Sequence, residues 1–150
     1  MKAKDIMNKE VITVDGSATI KEIAQIFVDN RISGVPVVDG DKLIGIVTEG
    51  DLMHKKTSPR APSVLSILGA VFYVEGVHRY REDFAKLLAM NAEDIMSKDV
   101  VTIPEHMPVN EIATIFVKKD INRAPVLRND KIIGIVSRED IVKSLLLEDL

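Results

Sequence analysis

Two short stretches of the chain place a hydroxyl and a carboxylate three residues apart: Thr48 and Asp51 in GIVTEGDL, which starts at Gly45, and Ser137 and Asp140 in GIVSREDI, which starts at Gly134. At a helix start this spacing serves capping, with the hydroxyl as N-cap and the acid as a short N3 partner favoured by the helix dipole. Taken alone, the pattern favours that structural role. As an acid–base pair, Asp51 and Asp140 would have to face each other across one pocket. No G-x-x-x-x-G-K-[ST] loop, no G-x-G-x-x-G after a strand and no nucleophile elbow occurs, so the usual signatures of phosphate hydrolysis, dinucleotide chemistry and acyl transfer are missing. His54, His78 and His106 stand alone, without the spaced partners of a metal site.

The two stretches are parts of one larger repetition. Residues recur at an offset of 89 without a gap, Met7 on Met96 and Pro36 on Pro125. AKDIMNKEVITV from Ala3 matches AEDIMSKDVVTI from Ala92, EIAQIFV from Glu22 matches EIATIFV from Glu111, and DKLIGIVTEGDL from Asp41 matches DKIIGIVSREDI from Asp130. A unit of roughly 50 residues buries too little surface to be stable alone, so the two copies are expected to pack into one module, with clefts at the seam.

The elements that must position the loops follow from local patterns. Each copy opens with a short helical piece, Ala3 to Met7 or Ala92 to Met96. It continues into a β-branched run, VITV from Val11 or VVTI from Val100, which reads as a first strand. Thr19 with Glu22 forms a capping box ahead of an amphipathic helix carrying Ile20, Ile23, Ala24, Phe27 and Val28. In the second copy Pro108 takes the cap's place before Val109, Ile112, Ala113, Phe116 and Val117. Two β-rich runs then flank Asp39-Gly40-Asp41, a hairpin turn, with APVLRNDKIIGIVS from Ala124 as the counterpart. Last helices run from Glu49 to about Lys56 and from Arg138 to about Leu147. The order per copy is β-α-β-β-α.

Residues 1–56 form the first repeat, 57–91 a linker with a helical insert, and 92–150 the second repeat. The insert starts with the linker-like SPRAP, continues as VLSILGAVFYV, and ends in a helix that runs into the second copy. Hydrophobic residues make up 46% of the 150, charged residues 29%, and the net charge is -3. With no cysteine there are no disulfides or thiolate sites, and a reducing cytoplasm is the expected setting. Dispersed basic residues disfavour nucleic acid as the main partner. The longest apolar run, Val64 to Val74, is too short to span a membrane.

In order and motif, with DIM, V-x-T, VPVVD and G-h-h-[ST]-x-x-D occurring twice, the chain resembles a tandem pair of cystathionine-β-synthase (CBS) domains, a Bateman module. The resemblance covers Ala3 to about Lys55 and Ala92 to about Ser144. It implies an α/β fold of two pseudo-symmetric repeats packed sheet to sheet, and a regulatory rather than catalytic role. It also implies clefts between the repeats that take adenosine-containing ligands, AMP, ADP or ATP first and S-adenosylmethionine as the alternative. The motif's Asp would grip the ribose hydroxyls, since a carboxylate accepts from both hydroxyls of a cis-diol and charge-assisted bonds are about twice as strong as neutral ones. Carried over, one cleft combines Thr48 and Asp51 with Val100, Thr102, Ile121, Asn122 and Arg123, and the other combines Ser137 and Asp140 with Val11, Thr13, Ile32 and Ser33. Arg123 falls on Gly34, so the clefts are expected to differ, with the guanidinium favouring a phosphorylated ligand. Arg138 is a second phosphate candidate. A homodimer through helical faces and an unidentified target protein complete the implied partners. A ligand-free assembly module is the alternative from another class.

Overall fold

The computed structural model describes residues 1–53 and 88–147. The apolar run at 64–74, the helix expected after it, His54, His78 and the end of the first repeat's last helix lie outside them. The described elements are α1 (Ala3–Ile6), β1 (Val14–Asp15), α2 (Ile20–Asn30), β2 (Gly34–Asp39), β3 (Lys42–Thr48) and α3 (Glu49–Met53), then α4 (Ala92–Ile95), β4 (Ile103–Pro104), α5 (Val109–Lys119), β5 (Arg123–Arg128), β6 (Lys131–Ser137) and α6 (Arg138–Leu147). The class is α/β, and the expected element order appears in both copies.

Thr19 caps α2 as the sequence predicts, its hydroxyl accepting from the Glu22 amide at 3.1 Å while Glu22 accepts from the Thr19 amide at 3.0 Å. Pro108 stands at the N-cap of α5. The helix turns inward with Ile20, Ile23 and Phe27, as α5 does with Val109, Ile112 and Phe116. Both helices end on a left-handed residue, Arg31 at φ 52 and Asp120 at φ 49. The hairpin turns use the same region, through Gly40 in one copy and Asn129 with Asp130 in the other.

The first strands are shorter than VITV and VVTI suggest. They begin at Val14 and Ile103 and hold two residues each, parallel to β2 through Val14↔Val37 and to β5 through Ile103↔Val126. Val11, Thr13, Val100 and Thr102 lie just ahead of them. The reason is a change of partner: upstream, Asn8 makes an isolated bridge to Ile135 on β6 and Ser97 one to Ile46 on β3, so the β-branched run passes from that bridge to its short parallel strand.

The compact units are not the repeats. One unit is Thr13–Gly40 with Ile44–Lys98, and the other is Met1–Ile12 with Asp41–Leu43 and Asp99–Leu150. In the first, α4 sits on the β1–α2 connection through Ala92 N–H to Ala18 O (2.8 Å) and Glu93 N–H to Gly16 O (3.0 Å). In the second, α1 does the same through Ala3 N–H to Met107 O (2.9 Å) and Lys4 N–H to Glu105 O (3.0 Å). Each repeat's opening segment therefore belongs to the unit built on the other repeat. The second unit's core joins Ala3 of the opening segment to Ile103, Ile112, Phe116, Ala124, Val126 and Val136, all nearly inaccessible.

Candidate functional site

In the first unit β3 delivers Thr48 to the start of α3, and Asp51 is one of the two buried polar residues among those described, at 5% exposure. Its Oδ2 accepts from the Thr48 amide at 2.8 Å and from the Thr48 hydroxyl at 3.1 Å. Both bonds run to one oxygen, so neither engages Oδ1. The next amide, Glu49 N–H, donates to Ser33 O at 2.9 Å and fixes the loop that precedes β2. Thr48, Ile32 and Ser33 are half-buried beside it.

The second unit repeats the arrangement and adds to it. Asp140 Oδ2 accepts from the Ser137 amide and hydroxyl, both at 2.7 Å, and the Asp140 amide donates back to Ser137 Oγ at 3.3 Å. This is a reciprocal cap, so the bland reading of the motif is physically present. Arg138 N–H donates to Asn122 O at 2.9 Å, matching Glu49 and Ser33. Its guanidinium turns back on the same loop, Nε to Ile121 O at 2.9 Å and an Nη to Asp120 Oδ1 at 3.2 Å. Arg138 is thus engaged in positioning the loop before β5.

Arg123 opens β5 directly opposite Ser137, and partners across an antiparallel pair project to the same face. The structure therefore gathers Ser137, Arg138 and Asp140 with Ile121, Asn122 and Arg123 in one unit, and Thr48 and Asp51 with Ile32 and Ser33 in the other. Thr13 belongs to the Asp51 unit, and Val11, Val100 and Thr102 to the Asp140 unit. The pairing of Asp51 with Arg123 joins residues of different units.

Sequence reasoning missed what supports the loops. An ideal Cβ on Gly45 would lie 2.8 Å from Met96 Cγ and 3.0 Å from Ser97 O. On Gly134 it would lie 2.7 Å from Met7 Cγ and 3.0 Å from Met7 Cβ. The methionine of each DIM motif thus lies over the glycine of the other copy's G-I-V, three residues ahead of the hydroxyl. Reciprocal backbone bonds, Ser97 with Ile46 and Asn8 with Ile135, lock each segment down. The twofold recurrence of DIM and G-I-V was the available signal.

Among the described residues no three His, Cys, Asp or Glu side chains group into a metal site. An open hollow of about 470 Å³ lies along Val14, Asp15, Ser17 and Glu22, and one of about 430 Å³ along Pro108, Asn110, Ile141 and Ser144. Neither includes Asp51 or Asp140. No helix among the described residues is long and apolar enough to cross a membrane.

The family model for the CBS domain matches the chain twice, over residues 3–57 and 92–147. An uncharacterized protein of Methanocaldococcus jannaschii, MJ1426, is 30% identical over 155 residues, spanning 97% of this chain and 92% of the relative. Other relatives are longer, and the chain spans between 22% and 60% of their length. The CBS domain pair of protein MJ0100, solved in complex with 5-methylthioadenosine and S-adenosyl-L-methionine, is 27% identical at a TM-score of 0.70 and covers 99% of this chain and 98% of that one. CBSX2, solved in complex with AMP, has the same fold at 19% identity and a TM-score of 0.72, with 97% of each chain covered. The paired loops, the element order and these matches lead to one conclusion: the chain belongs to the CBS-domain family and carries the domain as a tandem pair.

Proposed function

We propose that this tandem pair is a regulatory module that binds an adenosine-containing ligand, with Asp51 and Asp140 as the ribose anchors. The observation that carries the reading is the equivalent placement of two carboxylates, each held through one oxygen by a Thr or Ser of its own loop. A carboxylate oriented in this way presents its remaining acceptor capacity in a fixed direction, as recognition of a cis-diol needs. The ligands of MJ0100 and of CBSX2, which all contain adenosine, support the same class here.

Within that class, AMP, ADP or ATP is the first choice and S-adenosylmethionine the second. Arg123 at the mouth of β5 favours phosphate, which a guanidinium meets in bidentate fashion. Ligand binding alters the packing of the module and is read by a target protein, which requires different affinity for the two arrangements. The setting is cytoplasmic, and the module is a homodimer through helices. Val28 on α2 and Val117 on α5 occupy equivalent positions and are 74% and 79% exposed, as an unpartnered helical face would be.

Thermal unfolding against AMP, ADP, ATP, adenosine, S-adenosylmethionine and GMP tests the reading. Ligand at 100 times its dissociation constant stabilises by about 2.7 kcal/mol, or about 5–11 °C in a chain of this size. Asp51→Ala and Asp140→Ala should each weaken binding about 10–100-fold, the worth of a hydrogen bond to a charged group. Arg123→Ala should weaken AMP and leave adenosine unchanged. Combining it with each Asp variant shows which carboxylate shares the guanidinium's ligand. A second reading, assembly without ligand, draws on the reciprocal cap at Ser137 and Asp140. Absence of any shift with all six compounds would establish it instead.

A further inference from the structure

We propose that Met7 and Met96 are oxidant-sensitive modification sites, which hold the two opening segments in place as thioethers and release them as sulfoxides. Each sulfur occupies the space that a side chain would fill at any residue but glycine, Met96 over Gly45 and Met7 over Gly134. The thioether therefore rests on glycine main chain, at a point of the strand where no side chain projects. The amides that follow the two glycines are already used, Ile46 N–H on Ser97 O and Ile135 N–H on Asn8 O. A sulfoxide oxygen is a strong acceptor on a polar, wider group. At these positions the close approach to glycine leaves it no room. Both methionines are half-buried, so an edge of each side chain remains open to a small oxidant.

The chemistry needs a peroxide. The sulfur lone pair attacks one oxygen of hydrogen peroxide, the S–O bond forms, the O–O bond breaks, and water leaves with both protons. Sulfur is oxidised by two electrons and the peroxide reduced. Methionine sulfoxide reductases reverse the step with a thiol pair as reductant, so the modification is a switch rather than terminal damage. Its consequence falls on the loops, because each methionine lies over the glycine three residues ahead of Thr48 or Ser137.

Met1 and Met53, at 42% and 37% exposure, serve as internal controls. The full chain is titrated with hydrogen peroxide, the oxidised positions are mapped by peptide mass spectrometry, and the unfolding midpoint is followed. Met1 and Met53 should oxidise first without effect. Modification of Met7 and Met96 should then lower the midpoint by about 4–8 °C, with recovery on treatment with the two sulfoxide reductases. The Met7→Leu/Met96→Leu protein should keep its midpoint under the same dose, and the two single variants should each lose half the response. Three results would overturn the proposal: an unchanged midpoint with both positions oxidised, equal loss in the leucine variants, or peroxide doses that saturate Met1 and Met53 yet spare Met7 and Met96. The outcome does not depend on what the chain binds.

Discussion

The Asp51 loop and the Asp140 loop have the same backbone and different surroundings. Both carboxylates take the amide and hydroxyl of the residue three before them, and both loops are tied by the next amide to the turn before the neighbouring strand. Asp51 is nearly inaccessible, whereas Asp140 is half-buried and sits in a closed reciprocal cap. Arg138 and Asp120 add an ion pair across the second loop at positions where the first repeat has Glu49 and Arg31. The second repeat also carries the Glu105–Arg128 pair, with bonds of 2.7 and 2.5 Å, where the first has Gly16 and Asp39. Duplication preserved the scaffold of the site, while the charges around it diverged. The two loops are therefore expected to differ in rigidity.

The strongest way to break this comparison is at the glycines beneath the loops. The three atoms nearest the Cβ added by Gly45→Ala include the Ser97 carbonyl oxygen beside Met96, whereas for Gly134→Ala all three belong to the Met7 side chain. Overpacking of this kind costs about 3 kcal/mol at Gly45 and about 1.5 at Gly134, where a side chain can swing aside. Denaturant unfolding should rank them in that order, and equal losses would remove the distinction between the two supports.

Asp51→Ala and Asp140→Ala come next. Losing the acid leaves the Thr48 amide and hydroxyl without their acceptor in a buried place, at about 2 kcal/mol, against about 1 at Asp140, where water can substitute. Chemical denaturation without ligand reads this difference directly. Arg138→Ala should cost less, about 0.5 kcal/mol, because its ion pair is exposed. Its clearer sign would be faster amide exchange at residues 120–123, with residues 31–34 unaffected.

The smallest effect depends on pH. The Arg128 guanidinium holds the Glu105 carboxyl below its ordinary value of 4.5, through a hydrogen bond first and charge second. A folded-state value below the unfolded one means that the pair stabilises above the ordinary carboxylate range and stops doing so as pH falls through the folded value. The midpoint difference between the native chain and Arg128→Ala should thus be present at neutral pH and vanish in acid. A difference that persists at low pH would assign Arg128 a packing role.

The sequence reveals those features whose cause is local. The Thr19–Glu22 cap and the span of α6 follow from a few neighbouring residues, and both match the structure. The loops at Thr48 and Ser137 were legible for the same reason, as strand ends running into capped helices. The two-residue β1 and β4 were not, because β-branched residues fix a preference for extended chain but not which ladder it joins. Asn8 and Ser97 make that choice through bonds to residues far along the chain. The engagement of Arg138 was equally hidden, since its partner Asp120 is 18 residues away and owes its place to a left-handed helix end.

The exchange of opening segments makes each half a part of the other's fold. A repeat cut from the chain would leave its own glycine, Gly45 or Gly134, without the methionine that lies over it, and its opening segment without the strand it bridges. A substitution at Met7 is therefore felt at the loop of the second repeat, and one at Met96 at the loop of the first.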